Sequence, residues 1–137
     1  QEQERCTFLL IDIDHFKAIN DQRGHLVGDR VITEVAARLG RELDTLTPLY
    51  RYGGEEFALM STSIDEAQGI ELAERLRRAV AGQDFSGMPV TASIGVATWY
   101  ARNGSIAAAL SLADQALYAA KRAGRNQVVA ASNSPIS

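Results

Sequence analysis

Apolar and polar positions recur along this chain with two different periods, and the switches between them mark its elements. Thr7-Phe8-Leu9-Leu10-Ile11 is a near-continuous apolar run, the pattern of a strand covered on both faces. It ends in Asp12-Ile13-Asp14, where alternation sends both aspartates to one side. His15 to Asn20 reads as a short helical piece closed by Asp21 and Gly24. A longer helix is expected over residues 28–43, with Val31, Ile32, Val35, Ala36 and Leu39 at helical spacing. Residues 48–60 read as a hairpin: Pro48 to Tyr52 outward, a Gly53-Gly54 turn, and Phe57-Ala58-Leu59-Met60 returning. Ser63-Ile64-Asp65-Glu66 has the form of a capping box and opens a helix to about Val80. Its apolar face is Ala67, Ile70, Ala73, Leu76 and Val80, with Arg75, Arg77 and Arg78 on the solvated side. Gly82 and Gly87-Met88-Pro89 mark turns. A strand follows over residues 90–97, in which Gly95 permits a bulge or a close neighbour. Asn103-Gly104-Ser105 turns into an alanine-rich helix carrying Leu110, Ala113, Leu117 and Ala120, stopped by Gly124. Residues 128–131 form a last short strand, and residues 132–137 are expected to fray.

The order is thus β-α-α-β-β-α-β-α-β, with a small extra hairpin expected near residues 98–103. That is an α/β (α+β) fold in which helices flank one central, mixed, mostly antiparallel sheet. No repeat or linker divides the chain, so residues 1–137 are expected to form one domain with a core of its own. No Walker-type or dinucleotide-type glycine loop is present.

Composition narrows the function classes. Apolar residues make up 46% and charged residues 23%, ordinary values for a soluble domain. The net charge of −3 argues against a partner made of polymeric nucleic acid, although a single nucleotide held by local cations remains open. The lone Cys6 has no intrachain partner, which points to a reducing, cytoplasmic setting, and it precedes an apolar strand as a small core residue. No apolar run is long enough to span a membrane and no membrane contact is expected of this domain. The opening Gln1-Glu2-Gln3-Glu4-Arg5 suggests a piece of a longer protein, which leaves a membrane-anchored parent open.

Three polar clusters fall at element ends: Asp12 with Asp14, Glu55 with Glu56, and Lys121 with Arg122 and Arg125. Adjacent glutamates at a strand mouth repel unless a cation or partner holds them. The Gly-Gly-Glu-Glu turn alone is as compatible with an ordinary solvated hairpin tip. Asp14 suits a helix cap, leaving Asp12 to point into a site; an EF-hand loop is excluded by Phe16 at a ligand position and by the missing glycine and distal glutamate. If the first strand pairs with the hairpin, the acidic clusters converge as oxygen ligands of the kind Mg²⁺ prefers, and the cations near the last helix face phosphates. Lys121 and Arg125, four apart on a helix, otherwise read as an exposed face.

The residues together resemble one family. Asp12-Ile13-Asp14-His15-Phe16-Lys17-Ala18-Ile19-Asn20-Asp21, Gly24-His25, Gly28-Asp29 and Arg51-Tyr52-Gly53-Gly54-Glu55-Glu56-Phe57 are similar to the GGDEF family of diguanylate cyclases. Ser93-Ile94-Gly95-Val96-Ala97 and the run from Ala113 to Asn126 continue the match, which covers about residues 6–131. Glu55 replaces the more usual aspartate and keeps the carboxylate.

The resemblance implies a fold similar to the palm of nucleotidyl cyclases and polymerases. It also implies condensation of two GTP into cyclic dimeric GMP and pyrophosphate across a homodimer. It places Asp12 and Glu55 as the catalytic, metal-holding carboxylates, with Glu56 and the Ile13 carbonyl completing the ligand set for Mg²⁺ or Mn²⁺. Asn20 and Asp29 would read guanine; Lys121 and Arg125 would hold the distal phosphates, aided by Lys17 and by backbone N–H groups around His15 and Phe16. Leu117 and Tyr118 are expected to pack. The family's N-terminal helix signature does not precede Gln1, and a sensor domain elsewhere in a longer protein is expected. An inhibitory Arg-x-x-Asp would fall on Asp44-Thr45-Leu46-Thr47, where both key residues are lost; Arg41-Glu42-Leu43-Asp44 carries the pattern three residues early. The alternative reading is a module that binds GTP or cyclic dimeric GMP without turnover. A palm acting on nucleic acid is disfavoured by charge.

Overall fold

The unbroken apolar run makes β1 (Arg5–Ile13) the middle strand of a five-stranded sheet ordered β2-β3-β1-β6-β7. The computed structural model describes residues 4–133. In chain order β1 is followed by α1 (Phe16–Arg23), α2 (His25–Gly40), β2 (Leu49–Gly53), β3 (Glu56–Ser61) and α3 (Glu66–Ala81). Then come β4 (Asp84–Phe85), β5 (Met88–Pro89), β6 (Ala92–Tyr100), α4 (Ile106–Arg122) and β7 (Val128–Ala130). β1 runs antiparallel to β3 and to β6, whereas β7 lies parallel to β6 after the α4 crossover. The sheet is therefore mixed and mostly antiparallel, as the pattern predicts.

Alternation along β1 feeds two cores. Leu9, Ile11 and Ile13 face α2 and α3, where Val31, Val35, Leu39, Leu72, Leu76 and Val80 complete a large aliphatic cluster. Cys6, Phe8 and Leu10 face α4, which presents Ala109, Ala113 and Leu117. Each large side chain so buried contributes roughly 1.5–3 kcal/mol. Cys6 sits in this second core, and burial raises its thiol pKa. The α4 layer is thin because the helix lies almost on the sheet. A methyl group at Gly95 would come within 2.3 Å of the Ala113 carbonyl oxygen and 2.4 Å of the Leu117 nitrogen. Gly95 thus serves a close neighbour.

Several boundaries differ from the sequence expectation. α2 begins at His25 and ends at Gly40, three residues earlier at each end, because Gly24 with φ 90° separates it from α1. The capping box on α3 is Asp65 with Gln68, two residues beyond the Ser63 frame: the Asp65 carboxylate accepts from the Gln68 N–H, and Gln68 Oε1 accepts from the Asp65 N–H. Ala67 is exposed, and Gly69 and Leu72 join the buried face. The small hairpin is β4–β5, not residues 98–103. Ser86 and Gly87 both have positive φ between Phe85 and Met88, the two-residue turn that hairpins favour. Residues 98–100 instead extend β6, because Arg5, Cys6 and Thr7 supply a ladder partner to Tyr100, Trp99 and Thr98. Ser132 lies in a short 3-10 turn, where its hydroxyl donates to Glu66 at 2.7 Å; the expected fraying of residues 134–137 falls outside the described residues. Among the described residues no helix is long and apolar enough to cross a membrane.

Candidate active site

The end of β1 meets the β2–β3 turn and the last turn of α4. Asp12 pairs in register with Glu56, and the Glu55 carbonyl accepts from the Ile13 N–H at 3.3 Å, so both glutamates are fixed beside Asp12. The turn itself departs from expectation. Gly53 pairs with Glu56, the tip is Gly54-Glu55, and the register shifts between Arg51 and Gly53. Neither glycine has a positive φ. A Cβ at either would meet nothing within 4 Å, so the glycines leave free space above the turn. Arg51 Nε braces it by donating to the Gly54 carbonyl at 2.8 Å.

Asp12 is buried, and burial pushes its carboxyl up to about 6, with Glu55 and Glu56 adding repulsion and Lys121 opposing the rise. Lys121 from α4 forms an ion pair with Asp12 Oδ2. Burial lowers the Lys121 pKa, but the hydrogen bond and charge of Asp12 outweigh this and raise it overall. Burial also raises Glu56, with Glu55 and Asp114 contributing repulsion against the pull of Lys121. The other oxygen, Asp12 Oδ1, is buried and has no partner. Among the described residues no group of three His, Cys, Asp or Glu side chains stands ready to hold a metal.

Asp14 does not cap α1. His15 occupies that cap with φ 58° and gives no side-chain hydrogen bond. The Asp14 carboxylate instead accepts from Thr91 Oγ1 at 2.7 Å, Ser93 Oγ at 2.7 Å and the Asn126 N–H at 3.0 Å. It is a structural tie between β1, β6 and the loop after α4. Its partners are 77 or more positions away, and no local signal announced it.

The remaining predicted residues lie on α1, on α2 and in the loop after α4. Phe16 is buried at the start of α1, and Lys17 is exposed and pairs with Asp21 at 3.2 Å. Asn20 lies against Gly28, where a Cβ would come within 1.9 Å of Asn20 Oδ1; among the described residues that oxygen is the second buried side-chain atom without a partner. Gly28 therefore makes room for Asn20, a role hidden in the sequence because Gly28 read as the first residue of its helix. Asp29 follows, exposed, on α2. Arg125 is not on a helix: α4 ends at Arg122, and Arg125 is exposed with φ 64°. Leu117 packs as expected, but Tyr118 is 61% exposed, with the Arg122 guanidinium 5.7 Å from its ring centre. Arg41 forms the C-cap of α2, and Asp44 Oδ1 closes its own turn by accepting from the Leu46 N–H and Thr47 Oγ1.

A family model described as diguanylate cyclase, GGDEF domain, matches residues 1–127. The chain belongs to the GGDEF family. Response regulator PleD of Caulobacter vibrioides is 42% identical over 127 residues, covering 88% of this chain and 28% of PleD. Diguanylate cyclase DgcM of Escherichia coli is 44% identical over 128 residues, covering 91% of this chain and 30% of the relative. The chain thus spans under a third of the length of these two curated relatives. Among solved structures, the active GGEEF domain of a Vibrio cholerae diguanylate cyclase is 33% identical with a TM-score of 0.88, covering 96% of this chain and 85% of that one. The GGDEF domain of DgcB from Caulobacter crescentus, solved with c-di-GMP, is 35% identical with a TM-score of 0.88, covering 94% and 79%. These GGDEF neighbours share the mixed sheet flanked by helices. Gly53-Gly54-Glu55-Glu56-Phe57 reproduces the GGEEF spelling of the Vibrio cholerae domain.

Proposed function

We propose that this chain is a diguanylate cyclase domain that joins two GTP molecules, one on each of two copies, into cyclic dimeric GMP. In each half-reaction a ribose 3′-oxygen forms a bond to the α-phosphorus of the other GTP. The bond from that phosphorus to the bridging oxygen breaks and pyrophosphate leaves; the 3′-OH proton passes to solvent or a nearby carboxylate.

The observation that supports this most is the pair of buried oxygens without partners, Asp12 Oδ1 and Asn20 Oδ1. Leaving a buried polar atom unpaired costs about 1–3 kcal/mol, and both lie in residues assigned to ligand. The donor chemistry at Asp12 fits a hard divalent cation: oxygen ligands, clustered negative charge and an open lone pair. Asp12, Glu55, Glu56 and the Ile13 carbonyl would hold Mg²⁺ or Mn²⁺. Bound there, the ion would polarise the α-phosphate and stabilise the leaving oxygen.

The chain's own residues do the rest. Asn20 and Asp29 take the guanine edge, Asp29 accepting from N1–H and the amino group. The uncapped start of α1, with the His15 and Phe16 N–H groups and Lys17, offers donors to phosphate. Lys121 and Arg125 neutralise the distal phosphates, Arg125 from its loop. The open space over Gly53 and Gly54 admits the nucleotide. A longer parent protein would supply the sensor domain that brings two copies together. Asp44 is committed to its own turn, so no tight product inhibition through Arg41-x-x-Asp44 is expected.

Incubation with GTP and Mg²⁺, followed by chromatography, tests the proposal. Cyclic dimeric GMP formed with two pyrophosphates per product supports it. Bound GTP with no product would favour the binding-module reading instead.

A further inference from the structure

Lys121 occupies a particular chemical position. Its side chain is 31% exposed while its partner Asp12 is 3% exposed, so the ammonium enters the acidic corner from the solvent side. Glu55 and Glu56 both act on it electrostatically. An ammonium is a compact, strongly hydrated point charge on a flexible stem, and among side chains it is the nearest equivalent of a small inorganic cation. The other cations near this end of α4 behave differently: Arg122 lies over Tyr118 and Arg125 is exposed in the following loop.

We propose that Lys121 is an exchangeable counter-cation. It neutralises Asp12 until a divalent cation arrives, then withdraws, which frees its ammonium for the nucleotide phosphates. The inference rests on the reading of Asp12 as a cation ligand. It adds that Lys121 opposes divalent-cation binding in the nucleotide-free protein, so cation and nucleotide binding are linked through one side chain.

The test is a Mn²⁺ titration without nucleotide, followed by electron paramagnetic resonance of free Mn²⁺, on the unmodified chain and four variants. Lys121→Met and Lys121→Gln should each bind Mn²⁺ about tenfold more tightly, a gain of about 1.4 kcal/mol. Arg125→Met removes the same charge nearby without touching Asp12 and should change affinity less than about threefold. Mn²⁺ should also raise the melting temperature of Lys121→Met more than that of the unmodified chain, a readout that survives if the variant is less stable. Unchanged or weaker affinity in both Lys121 variants, with Asp12→Asn still abolishing binding, overturns the exchange alone. Equal tightening by Arg125→Met also overturns it, since a general charge effect would suffice. Mn²⁺ binding that persists undiminished in Asp12→Asn would refute the cation site itself and the exchange with it.

Discussion

Two carboxylates two residues apart, Asp12 near the end of β1 and Asp14 just past it, have opposite surroundings. The Asp14 region is saturated: two hydroxyls and a backbone N–H converge on its oxygens from β6 and from the loops before β6 and after α4. The Asp12 region is under-satisfied, with one oxygen on a lysine and the other on nothing. Both are buried, so burial alone does not separate architecture from chemistry. What separates them is whether the folded chain itself supplies every partner. At Asp14 it does, and the carboxylate ties the fold together. At Asp12 one oxygen has no partner among the described residues, and the proposed function assigns it to a cation.

The sharpest way to break this contrast is at the acidic corner. Glu55→Gln keeps the shape of the turn but removes a charge of the proposed cation site, and turnover should fall about 10³-fold or more, about 4 kcal/mol in the barrier, with circular dichroism unchanged. Near-normal turnover would remove Glu55 from the site. Next comes Asp14→Ala, which strands Thr91, Ser93 and the Asn126 N–H. It should cost roughly 2–4 kcal/mol in urea unfolding; a change below about 0.5 kcal/mol would mean the tie is not structural. Asp29→Ala should weaken GTP by about 10–100-fold while leaving Mn²⁺ affinity within about twofold, read by calorimetry. Equal affinity for ATP and GTP in the unmodified chain would sink the guanine assignment.

A further effect is on stability against pH in metal-free protein. The Asp12 carboxyl stands at about 6 in the fold, raised chiefly by burial from an ordinary 3.8. The folded state therefore binds that proton more tightly than the unfolded chain. Its contribution is fully present below about pH 4, is lost as pH rises to about 6, and is flat above. Comparison with Asp12→Asn should show this as a difference of at most about 3 kcal/mol, roughly two pKa units at about 1.4 kcal/mol each. Absence of any difference between pH 4 and 6 would mean that Asp12 is not desolvated as described.

Much of the fold was legible because its signals are local. The run Thr7-Phe8-Leu9-Leu10-Ile11 marks a two-sided strand, and Val31, Ile32, Val35 and Leu39 mark one helix face. The candidate site residues were picked out as identities, through motif resemblance. Their arrangement was not, because it depends on long-range partners. Asp14 looked like a cap since the partners that claim it, Thr91, Ser93 and Asn126, lie far along the chain. Gly53-Gly54 looked like the turn itself, whereas the register shift around Tyr52 moves the tip to Gly54-Glu55. Arg125 looked like the next turn of a helix that ends at Arg122. Lys121 was assigned to phosphate, with no hint that it would sit on Asp12.

The most direct test of the central claim pairs two readings on one sample of Asp12→Asn: product formed from GTP with Mg²⁺, and the melting temperature. The account predicts cyclic dimeric GMP from the unmodified chain, none above background from the variant, and melting temperatures within about 5 °C of each other. Turnover near the unmodified rate in a folded Asp12→Asn protein would contradict it.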